Sequence, residues 1–118
     1  MSTFPPFIFG GEAGVAAPRE SNFEKRLIKE IKQLFPGAIV SKLRDTQGIP
    51  DRLILYGSKW AALEIKRELG ASHRPNQDWY VEKMDQMSFS RFVYPENKDE
   101  VLQALIDFFS GQERTDKK

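Results

Sequence analysis

Along "SNFEKRLIKEIKQLFPG" the apolar residues fall at positions 23, 27, 28, 31, 34 and 35, the spacing of one face of a helix. Ser21 followed three residues later by Glu24 forms an S-x-x-E capping box at its start, and Pro36-Gly37 ends it. The pattern then changes period. "AIVSKLR", "DRLILYG" and "KWAALEIKR" are short, aliphatic or β-branched, and parted by turn residues. Three successive strands are predicted, with a tight Gly57-Ser58 turn between the second and third. "ELGASHR" reads as a loop, and Pro75 suits the first position of a helix running to about Met87, with Trp79, Tyr80, Met84 and Met87 on its apolar side. "FSRFVYP" predicts a fourth strand. Asn97 and Glu100 then cap a last helix that turns Val101, Leu102, Leu105, Ile106, Phe108 and Phe109 inwards. The order α-β-β-β-α-β-α is that of an α/β domain, a mixed sheet flanked by helices.

The remaining segments do not share this patterning. Residues 1–19 hold three prolines and no persistent alternation, so they read as a flexible arm ahead of a domain at 20–110. Phe4, Phe7, Ile8 and Phe9 suit the arm to docking on its own domain or on a second subunit. Residues 111–118 form a charged tail. A chain of 118 residues allows one domain with a single core. There are no cysteines, which excludes disulfides, thiolate metal sites and a cysteine nucleophile. No apolar run approaches the roughly 20 residues needed to cross a bilayer, and no basic region precedes the short apolar stretch at the start. Neither a signal peptide nor a membrane anchor is expected, and a cytoplasmic location fits.

Net charge is only +1, but it is unevenly spread. Between Arg19 and Arg44 seven basic residues face three acidic ones, and between Asp78 and Asp107 the balance is reversed, three basic against seven acidic. Such a dipolar surface suits a phosphate backbone on one side.

The chemistry is concentrated in "GIPDRLILYGSKWAALEIKRE". Side chains alternate across a strand, so Glu64 and Lys66 share one face while Leu63 and Ile65 take the other. Asp51 opens the preceding strand directly after Pro50. Its carboxylate meets Glu64 if the register sets residue 51 opposite the middle of "ALEIK". Leu53, Leu55, Leu63 and Ile65 are expected to form the apolar face that holds this polar edge. Two adjacent carboxylates repel unless a cation compensates them. With no His or Cys cluster to favour zinc, Mg²⁺ or Mn²⁺ is the indicated ion, with the Ile65 carbonyl available to complete the protein ligands. Lys66 would then orient the attacking water and offset developing charge, a layout for phosphodiester hydrolysis. Taken singly, Asp51 also reads as a turn residue and Glu64-x-Lys66 as a solvated pair.

"IPD" at 49–51, thirteen residues before "EIK" at 64–66, resembles the PD-(D/E)xK nuclease signature. More narrowly, the chain is similar to the stand-alone virus-type replication-repair nuclease (VRR-NUC) domains of phages and bacteria. The likeness runs through "FEKRLIKEIKQL", "GIPDRLIL", "WAALEIKRE", "RPNQDWY" and "RFVYPENKDEVLQAL". It implies a restriction-endonuclease-like fold and a Mg²⁺- or Mn²⁺-dependent endonuclease acting on DNA, with branched substrates such as Holliday junctions. It implies a two-fold homodimer in the cytoplasm of a bacterium or phage-infected host. The resemblance makes Asp51 and Glu64 metal ligands and Lys66 the catalytic lysine. Glu24 is the acidic residue on the first helix that reaches the metal or its water, with Glu20 as substitute, and Gln77 is a glutamine pointing back to the site. Arg44, Arg67, His73 and Arg74 are placed as phosphate contacts. The rival readings are a non-catalytic nucleic-acid-binding module on the same fold and a nuclease of flap or duplex specificity.

Overall fold

The computed structural model describes residues 21–111. The arm with its Phe4, Phe7, Ile8 and Phe9, the substitute acid Glu20 and the charged tail lie outside the described residues, apart from Gly111.

The amphipathic stripe forms helix α1, Asn22–Leu34, which buries Leu27, Ile28 and Ile31. Its start is half of the expected capping box. The Ser21 hydroxyl accepts the Glu24 N–H at 3.1 Å, but the Glu24 carboxylate turns away from the cap to Arg52. Three strands follow: β1, Ile39–Lys42; β2, Arg52–Tyr56; and β3, Lys59–Ile65. Gly57 at φ 62 is the turn residue between β2 and β3, and Ser58 stays at negative φ. That is the backbone of a type II′ hairpin, in which glycine occupies the first central position without a Cβ penalty. Helix α2, Gln77–Met87, leads to β4, Ser90–Val93. A 3-10 turn, Pro95–Asn97, then enters helix α3, Lys98–Phe109.

The strands make one mixed sheet in the order β1-β2-β3-β4, antiparallel except for the parallel β3–β4 pair. The parallel pair requires a crossover, which α2 supplies.

One sheet face carries the main core. Ile54, Ala61 and Leu63 pack there with Leu27, Ile31 and Phe35 from α1 and its end, and with Val101, Leu102 and Leu105 of α3. Phe35, Tyr56 and Phe109 close that core as a ring cluster with centroids 5.0–5.4 Å apart. The register pairs Leu53 with Ala62 and Leu55 with Trp60. Leu53 and Leu55 therefore belong to the opposite face from Leu63 and Ile65, not the same one as expected. Leu55 is 39% exposed. The sequence hides the phase of β2 because Leu53, Ile54 and Leu55 are three consecutive large aliphatic residues.

Three helix details also depart from expectation. Pro75 lies in a turn, and α2 begins two residues later, preceded by Asn76 in the left-handed region. Val81 and Gln77 form the buried side of α2, whereas Trp79 and Met87 stand exposed. Asn97 stands at the N-cap of α3 as expected, but its side chain makes no cap hydrogen bond there. Its amide oxygen accepts from Tyr94 N–H at 2.8 Å and closes the preceding 3-10 turn.

Candidate active site

The hairpin register decides the site. Arg52 pairs with Leu63 across β2 and β3, so Asp51, one residue outside the ladder, stands opposite Glu64. Asp51 Oδ2 accepts the Ile65 N–H at 3.0 Å, while its carbonyl accepts the Leu43 N–H at 2.9 Å from the segment after β1. One residue thus ties together the ends of β1, β2 and β3. Pro50 before it is fully buried, which fixes the approach.

Glu64 is only 3% exposed. Its Oε2 accepts from Gln77 Nε2 at 2.7 Å and faces Lys66 Nζ at 3.6 Å. Its Oε1 is buried with no hydrogen-bond partner. Burial pushes the Glu64 carboxyl up to about 7, and the Asp51 charge adds to that push against the opposing pull of Lys66. An acidic oxygen that is desolvated, beside a second carboxylate and without a donor, has an unmet need for positive charge.

Gln77 connects the acid and the base. Its side-chain oxygen accepts from Lys66 Nζ at 2.7 Å and from Arg74 N–H at 2.8 Å, while its amide nitrogen donates to Glu64. Lys66 also donates to the Ser72 carbonyl at 3.1 Å. Two of its three donors are thereby committed to neutral acceptors, leaving one for an anionic oxygen. Gln77 stands on the first turn of α2, and its position depends on the loop before Asp51. Gly48, at φ 91, approaches Asn76 so closely that a Cβ there would lie 2.7 Å from the Asn76 Cβ and 2.8 Å from the Pro75 oxygen. Glycine at 48 lets the two loops that deliver Asp51 and Gln77 touch.

These residues open into a cleft of about 500 Å³. Asp51, Glu64, Ile65, Lys66, Gln77 and Glu24 line it, together with Arg44, Arg67 and Arg74. Two expected site residues are held by partners outside the Asp51–Glu64–Lys66 group. Glu24 reaches the cleft, but its Oε2 is held by Arg52 Nε at 2.9 Å, with the two side chains 18% and 7% exposed. His73 stays outside the cleft lining. Its ring stacks on Phe92 at 4.1 Å between centroids, and Nδ1 lies 2.6 Å from Asp78 Oδ1.

The sequence reading missed Lys42, Thr46 and Gln47 in the lining, and Arg52 as the partner of Glu24. Arg52 had a signal: it shares the alternation of Ile54 and Tyr56, so a cation stood in phase with the core and called for an acid.

Among the described residues no three His, Cys, Asp or Glu side chains are grouped to hold a metal ion. The residues nonetheless fit a hard divalent cation in the one respect that the structure decides. Glu64 Oε1 is an orphaned buried acceptor next to a second carboxylate. Mg²⁺ keeps several waters and needs only one or two protein carboxylates, so Asp51 and Glu64 meet its demand without a third acid. In comparisons with known proteins the chain matches no family model, no curated protein and no solved structure.

Proposed function

We propose that the chain is a divalent-metal-dependent, structure-selective DNA endonuclease on a restriction-endonuclease-like fold, cutting phosphodiester bonds in branched DNA of the Holliday-junction type. The observation that carries the reading is the convergence of Asp51, Glu64 and Lys66 at one end of the sheet, inside a cleft lined by Arg44, Arg67 and Arg74. Asp51 and Glu64 would hold Mg²⁺ or Mn²⁺, with the Ile65 carbonyl as the remaining protein ligand. The bound ion supplies Lewis-acid polarisation of a phosphoryl oxygen and of the attacking water.

The chain's own groups do the rest. Lys66, anchored by Gln77 and Ser72, presents its remaining N–H to the scissile phosphate or the water and offsets the charge that builds there. Gln77 bridges Lys66 and Glu64, binding both while the two also form an ion pair at 3.6 Å, and so holds the acid and the base in one fixed arrangement. Arg44, Arg67 and Arg74 neutralise flanking phosphates and position the substrate without reading bases. Glu24, paired with Arg52, acts at the cleft wall and serves as a water-orienting group rather than a ligand. One site per chain implies a two-fold homodimer to cut two strands symmetrically, in the cytoplasm where the DNA lies.

The test is cleavage of labelled four-way junction, flap, single-stranded and linear duplex DNA with Mg²⁺, Mn²⁺ or EDTA, beside Asp51→Asn and Lys66→Ala. Metal-dependent cutting of the junction, abolished in both variants, is expected. Cleavage that survives EDTA, or variants as active as the parent, would overturn the reading. A mass near 13.6 kDa in light scattering at working concentration would remove the dimer.

A further inference from the structure

The charge imbalance seen in the sequence acquires a shape in the fold. Ser21, at the start of α1, lines the cleft. Stepping along the helix from it by four, four and three residues reaches Lys25, Lys29 and Lys32, which therefore share one stripe. The three lysines are exposed. With Ile28 and Gln33 they line a shallow groove of about 400 Å³ that follows the helix.

No acid interrupts the stripe. Of the acids on α1, Glu24 is held by Arg52 and Glu30 by Lys98 at 3.0 Å. No ion pair among the described residues engages Lys25, Lys29 or Lys32. The usual alternative for a charged helix face is a solvated surface with both signs mixed along it, and this stripe carries one sign. It continues the sign of the cleft, whose exposed rim holds Lys42, Arg44, Arg67 and Arg74.

We infer that a duplex arm of the DNA substrate leaves the cleft along α1, its phosphate backbone held by Lys25, Lys29 and Lys32. The inference rests on the nuclease reading and adds to it the direction and length of the bound DNA. The eleven residue-to-residue rises from Ser21 to Lys32 cover about 16 Å, or about five base pairs of one strand. Contacts of this kind add affinity and orientation without base preference, so the arm is recognised as duplex and not by sequence. The stripe acts on binding and leaves the chemical step to Asp51, Glu64 and Lys66.

The experiment compares the full chain with a triple Lys25→Gln, Lys29→Gln, Lys32→Gln variant, a triple Lys→Arg variant at the same positions, and Lys83→Gln on α2 as a control. Fluorescence anisotropy in EDTA measures binding to a labelled four-way junction at several salt concentrations, and cleavage in Mg²⁺ measures kcat and KM. The glutamine triple is expected to lower the salt slope by about 2–3 and to weaken low-salt affinity roughly ten- to hundred-fold. Its KM should rise while kcat holds, and the arginine triple and Lys83→Gln should behave as the parent. Circular dichroism separates this loss from unfolding. A glutamine triple with the parent's salt slope and KM overturns the inference even if the parent cuts DNA well. A parent that binds DNA through the stripe but cuts none supports the stripe and defeats the nuclease reading, so the two failures are distinguishable.

Discussion

Helices α1 and α2 are of similar length and flank the same cleft, yet they are specified in different ways. The first carries its instructions locally: an apolar stripe with helical spacing, a Ser21 cap that accepts the Glu24 N–H, and a proline-glycine stop. The second has a weak apolar face and no side-chain cap, and its first residue is a buried glutamine bonded to Glu64 and Lys66. One helix is held by the core and the other by the candidate site. Changes on the buried face of α1 should act on stability, and changes around the start of α2 on chemistry.

The largest expected effect tests the first half of that contrast. Ile31 is fully buried in the main core, and Ile31→Ala should cost about 2–5 kcal/mol of unfolding free energy, read as a lower urea midpoint. Activity per folded molecule should hold. A kcat that falls while the urea midpoint stays put would place the core of α1 in the chemistry and dissolve the distinction.

Glu64 gives the second test, where stability and activity should move in opposite directions. An ordinary glutamate titrates near 4.5, whereas burial and Asp51 move this one to about 7. Between these values the folded chain retains a proton that the unfolded chain has released, so stability falls as pH rises through the window and stays reduced above it. Glu64→Gln removes the charge that is costly to bury. At pH 8 the variant should be more stable than the parent by on the order of 2–3 kcal/mol in EDTA, below pH 4.5 the difference should vanish, and cleavage should be lost at every pH. Equal urea midpoints for the two proteins at pH 8 would mean that solvent already compensates the carboxylate.

The asymmetry also explains what could be read from the sequence. α1, the Gly57-Ser58 hairpin and the inward residues of α3 follow from spacing and turn chemistry alone, because neighbours in sequence determine them. The Asp51–Glu64 juxtaposition was legible as a condition on register, and the two-residue turn fixes that register. The start of α2 was not legible, since it depends on Gly48 meeting Asn76 across 28 positions. The phase of β2 was hidden because Leu53, Ile54 and Leu55 are interchangeable in hydrophobicity, and only Arg52 marks which side is which. The Arg52 partner of Glu24 was hidden for the same reason, since it lies on a strand whose facing the sequence leaves undecided.

The third test addresses the loop contact that positions α2. Gly48→Ala places a Cβ against Asn76 and Pro75 at a backbone φ of 91, with a strain of roughly 1–3 kcal/mol. Relief by loop movement would shift Asp51 relative to Gln77, so kcat should drop, by up to about a hundred-fold for a displacement near 1 Å, with the urea midpoint lowered only modestly. Unchanged kcat at full metal occupancy would show that the contact shapes the loop without placing the acids.

The smallest effects separate the two helix starts most directly. Ser21→Ala deletes a hydroxyl that accepts an α1 backbone N–H at 3.1 Å and should cost about 1 kcal/mol. Asn76 precedes α2 at φ 72 and its side chain makes no cap hydrogen bond. Glycine adopts that conformation freely, and the freedom it adds to the unfolded chain opposes the relief. Asn76→Gly should therefore change stability by less than about 0.5 kcal/mol. Urea denaturation of both variants beside the parent measures the difference. If Asn76→Gly proves as costly as Ser21→Ala, the start of α2 has a local determinant in the Asn76 side chain, and its dependence on Gln77, Glu64 and Gly48 is weaker than the hydrogen-bond pattern implies.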